Sequence, residues 1–109
     1  MKKIMLILVA VMLLGFVGKA QTHQKWVYFS QGETSISGML YFAGNKTWKE
    51  ENSATTTVWV FEEKVNSREE VILYDKSRNF FIRLTNNSMY YKDGANGVWT
   101  LLYKGRWDN

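Results

Sequence analysis

From Ile4 to Val17 the chain is almost wholly apolar, whereas beyond Gln21 short runs of apolar and β-branched residues alternate with polar positions. Lys2 and Lys3 precede the apolar run, and Gly18 and Ala20 place small residues before Gln21. A positive start, a short apolar stretch and a small-residue cut site together read as an export signal. Its 14 apolar-rich positions fall short of the roughly 20 residues that span a bilayer. The pattern therefore divides the chain into a signal peptide at 1–20 and a single domain at 21–109, soluble after cleavage and periplasmic or extracellular.

Strand signals dominate the domain. Runs rich in Val, Ile, Thr, Tyr, Phe and Trp, separated by Gly, Asn, Asp and Ser, predict strands over Lys25–Ser30, Met39–Ala43, Thr47–Glu51, Thr55–Glu63, Glu70–Tyr74, Asn79–Leu84, Ser88–Lys92 and Val98–Lys104. No window of eleven residues carries a 3.6-residue apolar stripe, so no long helix is expected. Gly44-Asn45, Asn66-Ser67, Asn86-Asn87 and Asp93–Gly97 supply residues that tolerate tight turns. Such short connections exclude a crossover helix. The predicted fold is an all-β antiparallel meander of seven or eight strands, closed as a small barrel or folded as a two-layer sandwich.

Alternation nominates a core of Val58, Val60, Leu73, Phe80, Ile82, Leu84, Trp99 and Leu101. Trp59, Phe61, Phe81, Tyr90 and Leu102 then fall on the opposite faces. Either those faces meet a second layer, or an aromatic surface remains for a partner. His23 and the tail from Gly105, with Trp107, read as loosely held ends.

Composition narrows the function. The formal charge of +4 includes Lys2, Lys3 and Lys19, so the domain is close to neutral, and its lysines are interleaved with acids; nucleic-acid binding is not expected. The chain has no cysteine, which excludes disulfides and a lipid-anchored start. One histidine cannot build a zinc or acid–base constellation. The carboxylate pairs Glu50-Glu51, Glu62-Glu63 and Glu69-Glu70 are adjacent on strands and point to opposite faces, and no phosphate-binding loop or other cofactor motif occurs. An enzyme is not expected, and neither is a cofactor or metal.

The densest polar run is Tyr74–Asn79. Asp75 accepts backbone amides ahead of it in a turn, or it joins Arg68 and Arg78 in a polar end that grips an anionic or hydroxylated ligand. Trp48, Trp59, Trp99, Tyr90 and Tyr91, where exposed, offer rings for stacking on a sugar or an extended peptide. Trp48-x-Glu50, Phe61-x-Glu63, Arg68, Leu73-Tyr74-Asp75-x-Ser77-Arg78 and Leu102-Tyr103 form a pattern that resembles an uncharacterised small bacterial module. The resemblance implies a compact all-β unit and no particular activity. The expected function is a non-enzymatic exported binding domain for a glycan or peptide, with Trp48, Trp59, Arg68, Asp75, Arg78 and Tyr91 as site residues. The alternative is a secreted inhibitor or envelope domain that acts by covering a protein partner.

Overall fold

A computed structural model describes residues 22–29 and 35–108. The expected signal peptide, 1–20, lies outside the described residues. Eight strands follow in order: β1 (Lys25–Phe29), β2 (Ile36–Phe42), β3 (Thr47–Asn52), β4 (Trp59–Asn66), β5 (Val71–Asp75), β6 (Phe80–Leu84), β7 (Ser88–Asp93) and β8 (Thr100–Trp107). Each pairs antiparallel with the next, and β8 returns to pair with β1, so the sheet is a closed barrel. No helix occurs among the described residues. Closure decides between the two predicted forms of the meander and removes every open strand edge.

The turn chemistry matches the connections. Asn45 and Lys46 both take positive φ, 52° and 56°, as a tight hairpin between β2 and β3 requires. Thr85 N–H donates to the Ser88 carbonyl at 2.9 Å, and Ser88 N–H donates to Thr85 Oγ1 at 3.2 Å, which closes the Asn-rich link between β6 and β7.

The inner face carries Trp26, Leu40, Trp48, Phe61, Val71, Leu73, Ile82, Leu84 and Met89, all buried. Leu73, Ile82 and Leu84 meet the predicted core, and Phe80 packs against it. The remaining picks are corrected. Val58 and Val60 are 44% and 54% exposed, because β4 turns Trp59 and Phe61 inward instead. A run in which both parities are apolar does not show its phase, and in a closed barrel the two larger rings fill the interior. Leu101 is exposed as well: the β7–β8 register passes from Met89 opposite Tyr103 to Tyr90 opposite Leu101, leaving Leu102 as a bulge that reverses the alternation. Trp99 precedes β8 and lies outside, with the Lys92 ammonium 4.8 Å from its ring centre.

Aromatic rings on the outer face are covered by long cationic side chains rather than by a second layer. Lys92 also lies over Phe81 at 5.3 Å, and Arg83 over Tyr90 at 5.6 Å.

Both ends of the described chain are pinned, in contrast to the loose termini expected. His23 stacks on Trp107 with ring centres 3.6 Å apart, and its carbonyl accepts from Asn66 Nδ2 at 3.1 Å. Asp108 N–H donates to the Lys25 carbonyl at 2.9 Å. Gly105 is buried in β8 beneath Trp26.

The two valine and leucine environments give a direct check. Leu73→Ala should lower unfolding free energy by about 2–5 kcal/mol, the usual cost of a buried large-to-small change. Val60→Ala should change it by less than about 0.5 kcal/mol, as exposed positions do. Urea denaturation of both variants measures the difference.

Candidate functional site

In a meander, alternate connections lie at opposite ends of the barrel. The 53–58, 76–79 and 94–99 connections gather at one end, and 43–46, 67–70 and 85–87 at the other. The second end is filled: Trp26 Nε1 donates to the Thr85 carbonyl at 2.8 Å, and Trp48 Nε1 to Glu63 Oε1 at 2.8 Å. The first end holds a cavity of about 480 Å³, within the range of small-ligand pockets. Strand position sets its depth. Asn52, Trp59, Phe80 and Asp93 are terminal residues of their strands and frame the mouth, whereas Ile82 and Met89 lie further in. Tyr91 and Leu102 add wall, and the Leu102 bulge puts that residue and Tyr103 together on the cavity side.

Glu50 is the inward polar residue of β3, two positions after buried Trp48. Tyr28 in β1 donates its hydroxyl to Glu50 Oε2 at 2.6 Å and stacks on Tyr103 at 4.5 Å. Gly38 makes this reach feasible. It pairs with Tyr28 across β1 and β2, and a Cβ there would collide with the tyrosine ring and come within 2.8 Å of the Asn52 Cβ. Burial pushes the Glu50 carboxyl above its ordinary range; the Tyr28 hydroxyl and the Arg78 charge pull it back only in part. Burial and the Glu50 carboxylate push the Tyr28 phenol strongly upward.

The polar turn takes the structural role that the sequence offers for it. Asp75 ends β5 facing inward and is buried. Its Oδ1 accepts from Ser77 N–H at 3.0 Å, Ser77 Oγ at 2.8 Å and Arg78 N–H at 3.0 Å, an Asx turn. Arg78 Nε donates to Asp75 Oδ2. Burial would raise the Asp75 carboxyl, but these donors and the guanidinium charge outweigh it and hold the group below its ordinary value. Fixed in this way, the guanidinium lies 4.5 Å from the Phe80 ring centre and 5.3 Å from that of Trp59. The turn thus swings Arg78 back across the mouth.

Among the residues singled out from sequence, Trp59, Arg78 and Tyr91 line the cavity, and Asp75 anchors Arg78. Trp48 is fully buried in the packed half, apart from the cavity. Arg68 is corrected: it belongs to the β4–β5 connection at the filled end, where its carbonyl bonds His23 Nε2 at 2.9 Å. Five residues of β5, roughly 15 Å, separate it from the end that holds Arg78. Glu50, Tyr28, Asn52 and Tyr103 were missed. The available signal was Trp48-x-Glu50: a tryptophan on the inner face obliges the residue two positions on to share it. Among the described residues no group of three or more acidic, histidine or cysteine side chains is placed to hold a metal ion, and no helix is long and apolar enough to cross a membrane.

No family model, curated protein or solved structure matches the chain.

Half-buried Glu50 and buried Asp75 should respond oppositely to pH. Glu50, with its carboxyl raised when folded, costs stability as pH rises above its ordinary 4.5, so Glu50→Gln should stabilise the protein at pH 7 and lose that advantage below pH 4.5. Asp75, lowered when folded, contributes stability above its ordinary 3.8 that is lost as pH falls through its folded value. Asp75→Asn should therefore destabilise at pH 7, by about 1–3 kcal/mol for the loss of charge-assisted hydrogen bonds. Thermal melts across pH 3–8 test both signs.

Proposed function

We propose that this is an exported, non-enzymatic binding domain that takes one compact ligand, a sugar unit or a peptide side chain, into the end of its barrel. The observation that carries the reading is the cavity of about 480 Å³, walled by Trp59, Phe80 and Tyr91 and furnished with Glu50, Asn52, Arg78 and Tyr103. An apolar, ring-lined pocket with a few fixed polar groups is the common form of a small-ligand site. Eight-stranded barrels are wide enough to hold one such ligand. Glu50 and Arg78 are both restrained by neighbours, Tyr28 and Asp75, so little ordering would be lost on binding. The export reading of residues 1–20 supports a periplasmic or extracellular site of action.

A second reading is supported by the surface around the mouth. Ile36, Val58, Val60, Val98 and Leu101 are exposed, with Val98 at 81%, and all lie towards the cavity end by strand position. An apolar rim of this kind also suits end-on docking against a protein partner.

Leu102→Trp separates the two. Leu102 lines the cavity and is part-exposed, so an indole there should fill the space without straining the packed half. A library of small sugars, amino acids and short peptides, screened by NMR, should contain ligands that shift the Trp59 and Tyr91 signals of the parent by several linewidths and leave the variant unmoved. Equal binding by both proteins would place the ligand outside the cavity.

A further inference from the structure

We infer that the cavity selects a cationic ligand, an alkylammonium such as a lysine side chain of a peptide, with its ammonium on Glu50 and its methylenes along Leu102 and Tyr91. This rests on the cavity being a ligand site, and it chooses between the ligand classes left open above. Arg78 is the one cation among the cavity-lining residues, and it is already committed: its Nε is bonded to Asp75, and its guanidinium lies against Phe80 and Trp59. Asp75 and Arg78 form an ion pair. Glu50 and Asp93 remain, and neither takes part in an ion pair among the described residues. Tyr28 occupies only Oε2 of Glu50.

The cavity thus offers two carboxylates outside any ion pair among the described residues and several aromatic faces, a combination that attracts cations through both charge and ring quadrupoles. The fold itself shows that these rings accept a cation, since Phe80 and Trp59 already hold a guanidinium. An anionic ligand would meet Glu50 and Asp93 and find Arg78 already bonded to Asp75. A neutral sugar would cover half-buried Glu50 without supplying an opposite charge, which is unfavourable. An ammonium supplies that charge.

The test is an NMR titration that follows the Trp59 indole N–H and the Met89 methyl group. Four probes are used: N-acetyl-lysine methylamide, its norleucine counterpart of equal chain length, N-acetyl-glutamate methylamide and methyl glucoside. The lysine probe should shift both signals and bind at least about tenfold more tightly than the others, about 1.4 kcal/mol. Glu50→Gln should weaken the lysine probe by a similar factor without changing the norleucine probe, and Asp93→Asn should weaken it less. Arg78→Gln, which removes the competing cation, should strengthen it; an anion site would instead lose binding. Preferential binding of the glutamate, norleucine or glucoside probe would overturn the charge assignment while leaving the cavity as a site. Silence from all four would overturn the charge assignment too, and the Leu102→Trp comparison would then judge the cavity by itself. Should Arg78→Gln fail to fold, the Glu50 and Asp93 variants still decide, because an unchanged lysine affinity in both refutes the inference.

Discussion

The closure of β8 onto β1 is the constraint on which the rest depends. Trp26 pairs with Trp107, and Tyr28 with Gly105, so the first strand is held by the last. The contact needs Gly105. A Cβ at that position would run into the Val27 carbonyl and the Trp26 ring, so no larger residue fits without moving one strand away from the other. With the seam shut, every strand has two partners, and eight short strands acquire one shared interior.

That interior is divided along its length. In the packed half, Trp26, Trp48, Leu84 and Val71 fill the barrel, and each indole N–H finds an acceptor. In the other half, the inward positions of β3, β5 and β7 become polar at Glu50, Asp75 and Asp93. Buried polar groups are tolerated when their bonding is supplied locally. The Asx turn does this for Asp75, and Tyr28 holds half-buried Glu50. The turn then determines where Arg78 goes, so a local device that ends a strand also shapes the mouth. Gly38 has a comparable double effect, because the missing side chain gives Tyr28 its path to Glu50.

Strand positions were legible because turn residues punctuate this chain clearly: Gly44-Asn45, Asn86-Asn87 and Gly94–Gly97 all fall between observed strands. Phase was less legible. Val58-Trp59-Val60-Phe61 is apolar at both parities, so alternation alone did not say which pair faces inward, and the Leu102 bulge broke the count in β8. The ends were misjudged because their partners are distant in sequence: His23 meets Trp107, and Asn66 meets His23. At the site, Trp59, Asp75, Arg78 and Tyr91 were recognisable as residue types. Arg68 was grouped with them wrongly. Successive connections of a meander lie at opposite ends, so residues flanking β5 cannot share one. Glu50 was overlooked because Glu50-Glu51 was weighed only as a carboxylate pair on opposite faces, yet Glu50 shares the face of Trp48.

The closed barrel with one packed and one hollow half is tested most directly by native-state amide hydrogen exchange combined with cross-strand proton NOEs at the β1–β8 seam. The account predicts Hα–Hα or amide NOEs between Val27 and Arg106 and between Tyr28 and Gly105, with seam amides protected as strongly as those of β5–β6. In Gly105→Val, both seam signatures should weaken first. Freely exchanging β1 and β8 amides in the parent, with no NOE across the seam, would contradict closure and with it the cavity at the barrel end.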